Sequence, residues 1–132
     1  MQGVIKIKSH HHTEPKNIEQ LKAALMKGPV AVSVNADSEF FKHYQGGIID
    51  WENCGTNVGH TMLAIGYSNE DSPDGSDYLI IKNSWGEDWG EMGFARISLT
   101  KKFGSKGICG ILSEGGYYAT LDGEEVKADS KV

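Results

Sequence analysis

The stretch from Tyr78 to Ile97, YLIIKNSWGEDWGEMGFARI, constrains the fold more than any other part of the chain. Its first four residues, Tyr78, Leu79, Ile80 and Ile81, form a short apolar run, half of it β-branched, that reads as a buried strand. Polarity begins at Lys82 and brings Asn83, Ser84 and Trp85 to the strand's end. Gly86, Gly90 and Gly93 punctuate the loop that follows, which carries a second indole, Trp89, and three acidic residues. The apolar pattern resumes at Phe94. A polar amide at the end of a buried strand and under two indoles is costly unless it has a partner. The rest of the chain must supply whatever Asn83 orients.

A chain of 132 residues is one domain with a modest core. Its net charge of −5 argues against a nucleic-acid partner, which requires a basic face. No apolar run approaches the ~20 residues of a membrane span. The N-terminus, MQGVIKIKSHHH, lacks the apolar core of a signal peptide. The chain therefore reads as cytosolic or as an internal piece of a longer precursor. Cys54 and Cys109 permit one disulfide, the alternative being two buried thiols.

Val4, Ile5 and Ile7 signal a short strand, broken by Ser9 and by His10, His11 and His12. Adjacent histidines on a rigid element do not converge on one metal ion, so this segment is expected to be a solvated loop or part of a tag. Asn17 is a helix cap with Gln20 at the capping-box position. Ile18, Leu21, Ala24 and Leu25 make the apolar stripe of one packing helix, which Gly28 and Pro29 end. Val30–Val34 alternates valine with Ala31 and Ser33 as a strand. Gly59–Tyr67, GHTMLAIGY, is another, beginning with His60. The acidic segment from Ser68 to Asp77 is a solvated hairpin loop without the spacing of a calcium site. ICGIL, Ile108–Leu112, reads as a last buried strand. The charged residues 119–132 read as a mobile tail. The expected fold is α+β: a mostly antiparallel β half-barrel with one flanking helix.

If the strands beginning at His60 and ending at Asn83 pair antiparallel, the two side chains share one end of the sheet. An asparagine oxygen accepting from the imidazole N–H would hold its tautomer, and Trp85 would keep water from that bond. A histidine so held is two parts of a nucleophile–base–orienter site.

GHTMLAIGY followed by KNSWG, Trp89-Gly90 and Gly93-Phe94 resembles the papain-like cysteine peptidases, the papain and cathepsin family. The likeness extends through Gly28-Pro29-Val30, Phe41, Tyr44, Gly46-Gly47-Ile48 and Cys109-Gly110-Ile111, over residues 1–118. It implies the C-terminal half of that fold. It also implies peptide-bond hydrolysis through a Cys-His-Asn site, with His60 as general base, Asn83 as its orienter, and Trp85 and Trp89 as cleft and shielding residues. Ser33, Val58, Thr61 and Glu114 match the family's main specificity pocket, S2, where Glu114 would accept a basic side chain as in cathepsin B-like members. Cys54 and Cys109 match positions that pair as a disulfide. No cofactor or metal is implied; a lysosomal, vacuolar or secreted location is.

Three departures qualify the match. Gly59 precedes the histidine where plant and cathepsin L-like members carry Asp or Asn, and Thr61 follows it in place of Ala, which narrows S2. The third is larger: the family's nucleophile, in a Cys-Gly-Ser-Cys-Trp motif preceded by an oxyanion-hole Gln, has no counterpart here. Neither Cys54, in a loop without a helix N-terminus, nor Cys109, in an apolar setting, suits that role. The expected partners are a peptide or protein substrate and an N-terminal half or second chain supplying Cys and Gln. The alternative is an inactive half domain that serves as a binding or structural component of a larger assembly.

Overall fold

Alternation of valine with small residues makes Val30–Val34 (β2) a strand with one dry face: Val30, Val32 and Val34 are buried, and Ala31 and Ser33 only partly so. The same alternation runs through His60–Tyr67 (β4) and Tyr78–Lys82 (β5), where Met62, Ala64, Leu79 and Ile81 are buried. It continues into Phe94–Ser98 (β6), through Ala95 and Ile97. The computed structural model describes residues 5–68, 77–100 and 104–121. Within them lie an edge strand Ile7–His12 (β1), the two-residue β3 (Ile48–Ile49) and a last strand Gly116–Leu121 (β7). The seven form one open sheet in the order β1-β7-β2-β4-β5-β6-β3, antiparallel throughout except where β3 runs parallel to β6.

The helix Ile18–Leu25 (α1) covers the dry face, packing across β2 and β4. Asn17 caps it, its side-chain oxygen accepting the Gln20 N–H at 3.0 Å. Gln20 does not close a capping box; its oxygen accepts the N–H of Glu14 at 2.8 Å and draws the preceding loop in. Leu21 is 1% exposed, and truncating such a side chain to alanine removes ~2–5 kcal/mol. A second, short helix, Glu39–Lys42 (α2), capped by Ser38 and too short to show a helical period in its residue order, delivers Phe41 to the core.

The opposite face of the sheet is wet and has its own order. His12, Tyr117, Ala31, Leu63, Lys82 and Phe94 pair successively across β1, β7, β2, β4, β5 and β6, and so lie in one row on one face. Leu63, Ile65 and Tyr117 are among the exposed large apolar residues of the chain.

Several expectations are corrected. The histidines do not break the first strand; they are its second half. The His11 ring stacks on Tyr118 at 5.1 Å between centroids and the His12 ring on Tyr117 at 4.3 Å, across the β1–β7 ladder. Residues 119–121, placed with the tail by composition, complete β7, where Thr120 is buried and its hydroxyl meets Ser9 Oγ at 2.5 Å. The expected strand Ile108–Leu112 is instead a 3-10 turn, Ile108–Gly110. Positive φ at Gly107, Cys109 and Gly110 turns the chain left-handed there, which no extended strand allows. Val4, the hairpin residues 69–76, the basic residues 101–103 and the tail from 122 onward lie outside the described residues.

Candidate active site

β4 begins at His60 and β5 ends one residue before Asn83, and the pairing of Leu63 with Lys82 and Ala64 with Ile81 brings the two side chains to one end of the sheet. His60 Nε2 lies 3.0 Å from Asn83 Oδ1. The backbone N–H of Ser84 donates to that same oxygen at 2.8 Å. A backbone N–H can only donate, so the amide oxygen and not its nitrogen faces both groups. His60 Nε2 therefore carries a proton, and in the neutral ring the basic lone pair sits on Nδ1. Asn83 is 5% exposed, its own N–H donates to Gly93 O at 3.0 Å, and its Nδ2 has no acceptor among the described residues.

Trp85 tilts over the imidazole, with centroids 5.2 Å apart and planes 33° apart. The two indoles predicted to cover the pair divide the work. Trp85 is 42% exposed and touches the imidazole, whereas Trp89 is buried behind it. Trp89 packs on the Phe41 and Tyr44 rings and donates its indole N–H to Phe41 O at 2.8 Å. Gly90 allows this: with φ +62°, an added Cβ would lie 2.6 Å from Phe94 O and 2.9 Å from the Tyr44 ring. Glu91 and Arg96 brace the same loop through two bonds of 2.9 and 2.8 Å. The Arg96 guanidinium holds the Glu91 carboxyl below the usual carboxylate range. Neither brace was legible as a motif.

On the other side of His60, β2 and β4 set Ser33 opposite Thr61, and Ser33 Oγ donates to Glu114 Oε2 at 3.0 Å. Three of the four expected pocket residues thus meet. Val58 lies against Gly110, where a Cβ would come within 2.7 Å of its methyl. Cys54 and Cys109 are joined as a disulfide with Cα atoms 5.0 Å apart, tying the segment before Val58 to the turn before Glu114. Asn35, which sequence reasoning missed, clamps both ends: its side-chain amide donates to Cys54 O and its backbone N–H to Cys109 O, each at 2.8 Å. A depression of about 430 Å³ adjoins the pair, lined by Ala31, Thr61, Met62, Leu63, Lys82, Asn83 and Ser84. Among the described residues no three His, Cys, Asp or Glu side chains are placed to share a metal ion.

An open antiparallel sheet flanked by a helix, with an imidazole held by an amide and covered by an indole at one end, defines the C-terminal part of a papain-like fold. The sequence model described as papain family cysteine protease matches residues 1–119, and the chain belongs to that family. Among curated proteins it is 39% identical over 114 residues to germination-specific cysteine protease 1 of Arabidopsis thaliana, covering 86% of this chain and 29% of that protein. It is 40% identical over 119 residues to the cysteine endopeptidase RepA of Oryza sativa subsp. japonica, covering 89% of this chain and 31% of that one. Among solved structures, the bromelain protease of Ananas comosus in complex with the E64 inhibitor superposes with a TM-score of 0.76 at 35% identity, covering 88% of this chain and 51% of that one. The chain thus spans less than a third of these curated relatives and about half of that solved chain.

Proposed function

We propose that this chain is the C-terminal half of a papain-like cysteine endopeptidase, contributing the base and its orienter while a second half contributes the nucleophile. The observation that carries the reading is the shared acceptor at Asn83, which leaves His60 Nδ1 as a lone pair at the cleft end of the sheet. A cysteine thiol brought to Nδ1 would pass its proton there. The thiolate then attacks the peptide carbonyl, and the oxyanion is held by donors of the other half, a Gln side chain among them. The tetrahedral adduct collapses as the Nδ1 proton moves to the leaving amine. Water, deprotonated by the same nitrogen, resolves the acyl-enzyme. Asn83 keeps Nε2 protonated through each step, and Trp85 limits water at that bond. Ser33, Val58, Thr61 and Glu114 line the specificity pocket, with Glu114 accepting a basic substrate side chain.

The wet face of the sheet supports the second half as a partner. Leu63, Ile65 and Tyr117 are 38, 42 and 54% exposed on it, and Leu63 lines the depression next to Asn83. Large apolar side chains left exposed on one sheet face mark an interaction site. The Asn83 amide also holds a buried donor without an acceptor among the described residues, a state costing ~1–3 kcal/mol that an incoming carbonyl would relieve. The disulfide favours an oxidising compartment, lysosomal, vacuolar or secreted. A second reading, an inactive half domain within a larger assembly, draws on the fact that both cysteines of the chain are paired and leave no free thiol.

The two readings separate on the native protein. Intact mass combined with labelling by an epoxide thiol probe is expected to reveal a larger species, or a second chain, that takes one probe molecule and loses peptidase activity. A native protein of 14.4 kDa that takes no probe would sink the endopeptidase reading and leave the second.

A further inference from the structure

Glu114 occupies the turn that enters β7, and that turn is fastened to the end of the edge strand β1. The His12 ring places Nε2 2.6 Å from the Glu114 carbonyl oxygen. A carbonyl only accepts, so this nitrogen carries the proton. The same ring stacks on Tyr117 with planes 20° apart, which holds the imidazole in its plane. One residue later, Thr13 and Gly116 close a ring of two bonds: the Thr13 N–H donates to Gly116 O at 2.9 Å, and the Gly116 N–H donates to Thr13 Oγ1 at 2.8 Å. Gly115, at φ +73°, lets the Thr13 carbonyl pass where a Cβ would collide with it.

These bonds have different consequences. The Thr13–Gly116 pair anchors the far end of the turn. Among the described residues, the bond from His12 is the only one to the Glu114 backbone. The carboxylate, for its part, is held from β2 by the Ser33 hydroxyl at 3.0 Å. Glu114 is thus gripped at its backbone from one strand and at its head group from another. Nothing in the peptidase chemistry requires a histidine at position 12.

We propose that His12 is a positioning residue for Glu114: its ring N–H sets the turn so that the carboxylate meets Ser33 and faces a basic substrate side chain. His12 would then govern how strongly the pocket prefers arginine or lysine over an apolar side chain, without touching the reacting atoms. The inference rests on reading Glu114 as a pocket wall; it does not depend on where the nucleophile comes from.

Binding to the isotopically labelled full chain tests it by NMR, with Nα-acetyl-arginine amide and Nα-acetyl-leucine amide as probes. The arginine derivative is expected to shift the Ser33 and Glu114 signals. His12→Phe keeps the stack on Tyr117 and loses the donor; it should weaken arginine binding about fivefold and leave leucine binding unchanged. His12→Gln restores a donor and should retain the parental preference. In a Glu114→Gln background the preference should vanish and His12→Phe should change nothing more. Parental affinity for arginine in His12→Phe would overturn the inference, as would an arginine derivative that leaves the Glu114 signals in place. Should the arginine preference respond as expected in a native protein that takes no thiol probe, the endopeptidase reading fails and the role of His12 stands. Should the probe label and the preference stay fixed, the reverse holds.

Discussion

His60 and Asn83 meet at 3.0 Å between imidazole Nε2 and amide oxygen, and the Ser84 N–H, 2.8 Å from the same oxygen, decides the chemistry of that contact. Without the Ser84 donor the amide could flip and present its NH₂ group, reversing the tautomer of the ring. With it, the oxygen faces His60 and the basic nitrogen is Nδ1. One backbone group outside the pair therefore fixes which ring nitrogen carries the lone pair.

Nitrogen-15 chemical shifts of the His60 ring check this directly. At a pH where the ring is neutral, Nε2 should read as protonated and Nδ1 as a lone pair. Asn83→Ala should give a mixture of tautomers, and in an active complex should lower kcat on the order of 10²-fold with little change in KM. An unmixed Nε2–H tautomer in Asn83→Ala would assign the control elsewhere.

The wet face predicts how the chain behaves alone. Leu63 and Ile65 stand 38 and 42% exposed on β4, so the isolated chain should self-associate in sedimentation experiments. Leu63→Lys with Ile65→Thr should give a monomer whose unfolding free energy lies within about 1 kcal/mol of the parent, since neither side chain is in the core. The same variant should lose its association with the proposed second half. Parental self-association in the variant would place the sticky surface somewhere else.

The disulfide closes a loop across a sequence separation of 55, which chain entropy converts to ~4 kcal/mol of stability. Replacing both Cys54 and Cys109 by serine should lower the urea midpoint accordingly. The substitution should also widen arginine-versus-leucine binding errors at the pocket, because the bridge joins the Val58 segment to the turn before Glu114. A loss well under ~1 kcal/mol would show that Asn35, bonded to both cysteine carbonyls, holds the two loops without it.

Burial pushes the Tyr44 hydroxyl, which donates to Gly47 O at 2.6 Å, up to about 12. A folded-state value raised above the ordinary 10.0 means stability that is fully present below pH 10 and lost as pH rises toward about 12. Tyrosinate absorbance and circular dichroism followed together should show unfolding in that window. Tyr44→Phe should be less stable at neutral pH and flatter across the alkaline range. An unchanged alkaline slope in Tyr44→Phe would clear this residue of the effect.

Residue order alone is enough for the elements whose dry faces repeat along the chain. Val30, Val32 and Val34 mark β2 by a period of two, and Leu21, Ala24 and Leu25 mark α1 by a helical stripe under an asparagine cap. The hairpin-length link between His60 and Asn83 likewise anticipates their meeting, because antiparallel pairing is local in sequence. The features that failed to show themselves depend on partners far away. His11 and His12 are strand residues because Tyr118 and Tyr117, more than a hundred positions later, receive their rings. Cys109 turns left-handed where its apolar neighbours suggest a strand, because its backbone must meet Asn35 and its sulfur Cys54. Trp85 and Trp89 are alike as sequence, yet Phe41 and Tyr44 bury one and leave the other over the imidazole. Periodicity records which face a segment must hide. Which distant surface hides it, and which polar groups that surface brings within bonding distance, is settled when the strands assemble into the sheet.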